Sequence, residues 1–239
     1  MARGNHAAAV AILQQAELDT GVERATDLLP VHSAISPLFP HGGLPQGGVV
    51  AVHGSLSLLL ATVVEASREG SWVAFVGMPQ IGMVAAHDMG CALERMALIP
   101  DPGADAAAVT AALLDGIPIV VLGEKAALTP HDRRRLAARA RERGAVLISN
   151  VPWPGAHVTL EVQHGQWTGC DRGAGWLQRR TVRVARGGRG AAARPITLDV
   201  EIPVTGDPVA PATVAPAAVA RPPGTPTSPQ RGGHLRLVA

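Results

Sequence analysis

The chain has 239 residues, of which 47% are apolar, and a formal net charge of +2. That length implies one domain of roughly 150–200 residues with tails. So small a charge does not by itself imply nucleic-acid binding. The two cysteines, Cys91 and Cys170, are isolated and match no metal-ligand spacing, so they read as free cytosolic thiols. Aromatic residues make up 3% of the chain and tyrosine is absent, so the core must be built from aliphatic packing. Twenty of the 21 basic residues are arginine, which points to a GC-rich genome.

Residues His6–Leu18 are alanine-rich and predict a helix, with a further short turn or helix over Gly21–Leu29. The apolar stretch Ala7–Leu13 runs straight into Gln14, Gln15 and Glu17, a poor signal peptide. No run approaches the ~20 apolar residues of a membrane span, so a cytoplasmic protein is expected. Pro30, Pro37, Pro40 and Pro45, with Gly42 and Gly43, force an irregular lead-in, giving an N-terminal segment 1–43.

An α/β rhythm follows over a core expected at 44–205. Strands are predicted at Gly47–His53, Trp72–Val76, Met96–Ile99, Ile117–Leu122 and Ala145–Ser149. Helices are predicted at Leu56–Arg68, Ile81–Arg95 and Asp105–Leu114. Another starts at Thr129-Pro130, with hydroxyl cap, first-turn proline and Asp132, and runs to Arg143 before Gly144. This alternation implies a mostly parallel sheet flanked by helices. After Asn150 the strands His157–Gln163, Gln178–Arg186 and Pro195–Ile202 lack intervening helices and predict an antiparallel C-terminal extension of the sheet. The proline-, alanine- and glycine-rich tail 206–239 is expected to be disordered.

The most informative stretch is Leu44–Gly70. A strand, a tight turn at Gly54 and a helix form the frame of a phosphate-binding loop, which supplies backbone N–H groups, a lysine and a Ser/Thr hydroxyl. The frame is present but its chemistry is missing. Gly54, Ser55, Leu56, Ser57, Leu58 and Leu59 make a vestigial loop without the second glycine, lysine or metal-binding hydroxyl. The one lysine, Lys125, lies far away in sequence. Leu56, Leu58 and Leu59 are expected to pack where phosphates would sit.

The segments GGLPQGGVVAVHG (Gly42–Gly54), REGSWVAFV (Arg68–Val76) and IPIVVLGEKAALTP (Ile117–Pro130), in this order, resemble the ATPase core of the bacterial recombinase RecA. The resemblance covers about Leu44 to Ile202. It implies a magnesium-binding aspartate where this chain has Gly123, and a water-activating glutamate where it has Gly77-Met78-Pro79-Gln80. With the lysine, three parts of a phosphoryl-transfer site are absent together. Glu124 and Lys125 read as solvated turn residues. The regions that carry DNA-holding loops in RecA are short, the second being only Asn150–Ala156.

A RecA-like core without these loops resembles the ImuA and ImuA-prime family, accessory proteins of a damage-induced bacterial mutagenesis cassette. That resemblance implies a non-enzymatic subunit without cofactor or metal. Its expected partner is an ImuB-like, catalytically dead polymerase homologue, and through it an error-prone replicative-type DNA polymerase and the sliding clamp. An ATP-dependent recombination factor and a SulA-like division inhibitor acting on the FtsZ ring are the alternatives.

Arg133, Arg134, Arg135, Arg139, Arg141 and Arg143 crowd one helix and read as a solvated face. Arg179, Arg180, Arg183, Arg186 and Arg189 fall where Asp171 is the one acid between positions 171 and 194, and are candidates for contact with DNA or an acidic partner. Trp153, Trp167 and Trp176 read as core or sheet-cover residues. His53 reads as a strand-end residue, and His87, Asp88 and Glu94 show no metal spacing. The C-terminal Leu235, Arg236, Leu237 and Val238 form a candidate docking peptide, with the helix Ala7–Leu18 as the second candidate.

Overall fold

The computed structural model describes residues 28–171 and 174–202, with the side chains of residues 168–178 outside the description. The helix expected over His6–Leu18, the tail with its docking residues Leu235, Arg236, Leu237 and Val238, and the side chains of Cys170 and Trp176 lie outside the described residues.

Two short strands, β1 (Leu28–Leu29) and β2 (Leu44–Pro45), pair with each other ahead of the main sheet. The turn or helix expected over Gly21–Leu29 is therefore a strand at its described end. The main sheet contains β3 (Val49–His53), β4 (Val73–Val76), β5 (Met96–Ile99), β6 (Ile119–Leu122), β7 (Val146–Ser149), β8 (Val158–Asp171), β9 (Ala174–Gly188) and β10 (Ile196–Ile202). Their order is β10-β9-β8-β3-β7-β6-β4-β5. From β8 to β5 every pair is parallel. Strands β8, β9 and β10 are antiparallel, which makes the extension expected from the sequence.

Helix α1 (Leu56–Arg68) follows β3, and the short α2 (Met83–Asp88) follows β4. Helix α3 (Ala106–Leu114) precedes β6, and α4 (Pro130–Arg143) links β6 to β7. Alternation along the strands sorts the core into two layers. Val50 and Val52 pack in one layer with Leu58, Leu59 and Val63 of α1. Val49 and Ala51 pack in the other with Ala106 and Leu114 of α3 and Leu136 and Ala140 of α4. Residues Ile119–Leu122 are buried on both faces, which is why they form an unbroken apolar run.

Three predicted boundaries are corrected. The helix expected over Ile81–Arg95 ends at Asp88. Gly90 turns the chain at φ 88°, Cys91 N–H closes onto Ala86 O at 2.9 Å, and a single 3-10 turn occupies Leu93–Arg95. Strand β8 does not stop at Gln163 but passes through Gly165, because register shifts at Val162/His164 and Thr168/Cys170 absorb the irregular residues. Its partner β9 begins at Ala174 rather than Gln178 for the same reason.

Helix α4 starts as its sequence dictates. Thr129 Oγ1 accepts the Asp132 N–H at 3.2 Å, and the Asp132 carboxylate accepts the Thr129 N–H at 3.1 Å. The Thr129 hydroxyl also donates to that carboxylate at 2.6 Å, and this bond, followed by the one from the Thr129 backbone, holds the Asp132 carboxyl below its ordinary range. The Asp115 carboxylate, beyond the end of α3, binds Arg139 Nε at 2.8 Å and Arg143 Nε at 3.1 Å, tying the two helices together. Replacing Thr129 with Ala removes a reciprocal cap and is expected to cost about 1 kcal/mol in urea unfolding. An unchanged midpoint would show that the cap carries no stability.

Candidate functional site: the crevice at the strand ends

The parallel strands β3, β4, β6 and β7 deliver their C-terminal ends to one region. The chain leaves β3 toward β4 on one side and β7 toward β8 on the other. Neighbouring strands whose connections diverge leave a gap, and α/β sheets place ligands there. In this protein the gap is a cleft of about 550 Å³ lined by Val52, Gly54, Ser55, Leu56, Gln80, Glu124 and Asn150.

The vestigial loop is cut to its minimum. Gly54 and Ser55 are the entire turn, since His53 ends β3 and Leu56 begins α1. Ser55 Oγ accepts the Leu58 N–H at 3.2 Å, so a helix donor that would face an anion is already occupied. Leu58 and Leu59 are fully buried in the core. Only Leu56 borders the cleft. The expectation that Leu56, Leu58 and Leu59 fill the phosphate space is therefore corrected. The helix begins directly after Ser55, which turns positions 58 and 59 onto the sheet and leaves the cleft open.

Gly123, where the sequence resemblance would place a magnesium-binding aspartate, is closed off by a backbone contact. The loops after β4 and β6 are zipped together: Gly123 N–H donates to Val76 O at 2.8 Å and Lys125 N–H to Gly77 O at 3.0 Å. Gly77 adopts φ 70°, and a Cβ there would lie 2.3 Å from Ala126 N. A Cβ on Gly123 would lie 2.1 Å from Met78 Cγ and 2.4 Å from Gly77 O. The Met78 side chain is buried over this seam. No carboxylate fits at position 123 without parting the two loops.

Charge in the cleft also has the wrong sign for a triphosphate. Glu124 lines it, whereas Lys125 is not among the lining residues and lies 4.0 Å from Asp101 instead. Both are exposed, as expected of turn residues. These residues do not fit a magnesium–nucleotide complex. His53 sits at the strand end as expected, with Nδ1 3.3 Å from Asn150 O. No cluster of three metal-ligating side chains exists among the described residues.

The candidate arginines of the extension are divided among different partners. Arg183 forms a two-pronged pair with Asp199 at 2.7 and 2.8 Å across the β9–β10 ladder. Arg179 lies 3.1 Å from Glu201. The acids come from β10, beyond the stretch in which Asp171 stood alone. Arg180 lies over the Trp167 ring at 5.7 Å, and Arg186 is buried with its guanidinium donating to Arg194 O. Trp153 is buried as expected, but Trp167 is 55% exposed, a correction to its reading as sheet cover.

Arg189 faces His157, whose Nδ1 accepts the Val49 N–H at 2.9 Å. Burial, reinforced by the positive charges of Arg189 and Arg141, pushes the His157 pKa down to about 4. Sequence reasoning passed over this histidine, because nothing near it in the chain marks it.

Two outcomes test this geometry. Gly123→Ala is expected to destabilise the fold by about 2–4 kcal/mol, because the Gly77 carbonyl cannot move aside as a side chain can. Gly116→Ala, where a Cβ meets nothing within 4 Å, serves as the control in the same denaturant titration. A Gly123→Ala loss below about 0.5 kcal/mol would show the loops are not locked. Neutral His157 stabilises the fold above its ordinary pKa of 6.5, and that stability is lost as pH falls toward about 4. With partial exposure discounted, about 1–2 kcal/mol should disappear over that window in wild type and not in His157→Gln. Parallel pH profiles for the two proteins would refute the assignment.

Residues 37–155, just under half of the chain, match the family model of the MT3502 N-terminal domain. Every residue of the cleft and of the zipped loops lies inside this segment, and β8–β10 lie outside it. The uncharacterized protein Rv3395c of Mycobacterium tuberculosis (strain ATCC 25618 / H37Rv) is 39% identical over 142 residues. That stretch is 59% of this chain and 66% of the relative, a little under two thirds of its length. The chain is thus similar to an uncharacterized mycobacterial protein and, over residues 37–155, to the MT3502 N-terminal domain.

Proposed function

We propose that this protein is a non-catalytic accessory subunit of a DNA-damage-induced translesion synthesis mutasome. In this reading it is an ImuA-prime-type protein built on a RecA-like core. Its direct partner is an ImuB-like, catalytically dead polymerase homologue, which links it to an error-prone replicative-type polymerase and the sliding clamp. The RecA-like and ImuA-prime assignments rest on the sequence resemblance across Leu44–Ile202.

The observation that carries the non-catalytic part is the zipped seam at Gly77 and Gly123. Phosphoryl transfer needs a cation at the phosphates and a carboxylate-held magnesium. The seam leaves no room for that carboxylate, and no lysine or arginine lines the cleft among the described residues. A recombination motor is disfavoured on the same ground. No helix among the described residues is long and apolar enough to cross a membrane, and a cytoplasmic location belongs to the proposal.

Co-expression tests the partner. The tagged full chain is expected to co-purify an ImuB-like protein in a stoichiometric complex that survives moderate salt, and not to retain FtsZ. Retention of FtsZ without the ImuB-like protein would favour the division inhibitor and overturn the mutasome reading.

A further inference from the structure

We propose that the groove between helix α4 and the segment joining β7 to β8 docks an acidic, partly apolar peptide segment of a partner protein. The groove encloses about 440 Å³, and Arg133, Arg134, Arg141 and Arg189 border it. No aspartate or glutamate among the described residues does. Helix α4 segregates its charges. Its acids Asp132 and Glu142 line the opposite groove, against α3, together with Arg135 and Arg139. The guanidinium groups on the docking side have no carboxylate partner among the described residues.

One contact bordering the groove lacks an acceptor. Arg133 itself is held in the groove wall, donating to Pro152 O at 2.6 Å and lying 5.5 Å from the Trp153 ring centroid. At the other end, His157 Nδ1 accepts from Val49, so the ring proton sits on Nε2. That nitrogen faces Arg189 Nη2, also a donor, at 2.8 Å. Two donors point at each other, and a carboxylate entering there would accept from both.

The lining selects a peptide over a nucleic-acid strand. Trp153 is buried and offers no ring face for a base to stack on. Ala137, Ala138 and Pro154 form a shallow apolar floor that phosphates would leave unused. Arg134 and Arg141 stand two helical turns apart, about 10 Å, which suits carboxylates separated by apolar residues. Planar guanidinium forks bind carboxylates in pairs. The inference deepens the scaffold reading by naming a face for a partner, and rests on that reading only for who the partner is.

The test is fluorescence anisotropy with the full chain and a labelled peptide of ~12 residues alternating Glu and Leu pairs, the pattern expected of an Arg-cluster ligand. A Gln/Leu peptide of the same pattern and oligothymidine of similar length are the comparison probes. The Glu/Leu peptide is expected to bind about tenfold or more tightly than either. Arg134→Glu with Arg141→Glu should weaken it at least about tenfold, while Arg135→Glu, on the opposite side of the same helix, stays within about twofold. All of these side chains are exposed, and thermal melts check that the variants remain folded. No binding at about 100 μM in low salt, equal loss from Arg135→Glu, or tighter binding of oligothymidine would each overturn the proposal. If the groove fails while an ImuB-like partner still co-purifies, the scaffold reading stands without it.

Discussion

The close approach of Gly77 to Gly123 governs the rest of the site. Side-by-side strands in a parallel sheet normally splay their following loops, and ligands use the space. Here the loops after β4 and β6 share backbone hydrogen bonds, and the Met78 side chain is buried over the seam. Because both positions are glycine, the two backbones come closer than any Cβ allows. One steric fact thus bars any larger side chain from position 123 and leaves Met78 buried over the seam.

Much of this architecture was legible in the chain. Leu56–Arg68 and Thr129–Arg143 announce themselves by length, caps and flanking glycines, and the buried strands by β-branched runs. Residues Ile81–Arg95 misled because most of them favour a helix and one glycine is a weak break; the backbone closure at Gly90 and Cys91 ends it. Strands β8 and β9 read as shorter than they are, since Gly165, which would usually end a strand, pairs with Val182 within the ladder and the irregularities are taken up by register shifts.

At the site, absence was legible and arrangement was not. The chain shows that lysine and aspartate are missing, but not that Ser55 caps its own helix or that Met78 closes a seam. Arginine clusters were visible as clusters. Which arginines are neutralised depends on Asp115, Asp199 and Glu201, residues remote in sequence. Arg183 therefore ends in an ion-pair ladder, while Arg134 and Arg141, once read as part of a solvated helix face, border an uncompensated groove.

A parallel sheet whose crevice, among the described residues, carries no lysine or aspartate for phosphate chemistry supports the proposed scaffold role. The direct measurement is calorimetric titration of the full chain with magnesium-ATP. No heat beyond dilution is expected up to about 1 mM nucleotide, corresponding to less than about 4 kcal/mol of binding free energy. A saturating isotherm with micromolar affinity, lost on substitution at Ser55 or Gly54, would contradict the closed-seam interpretation outright.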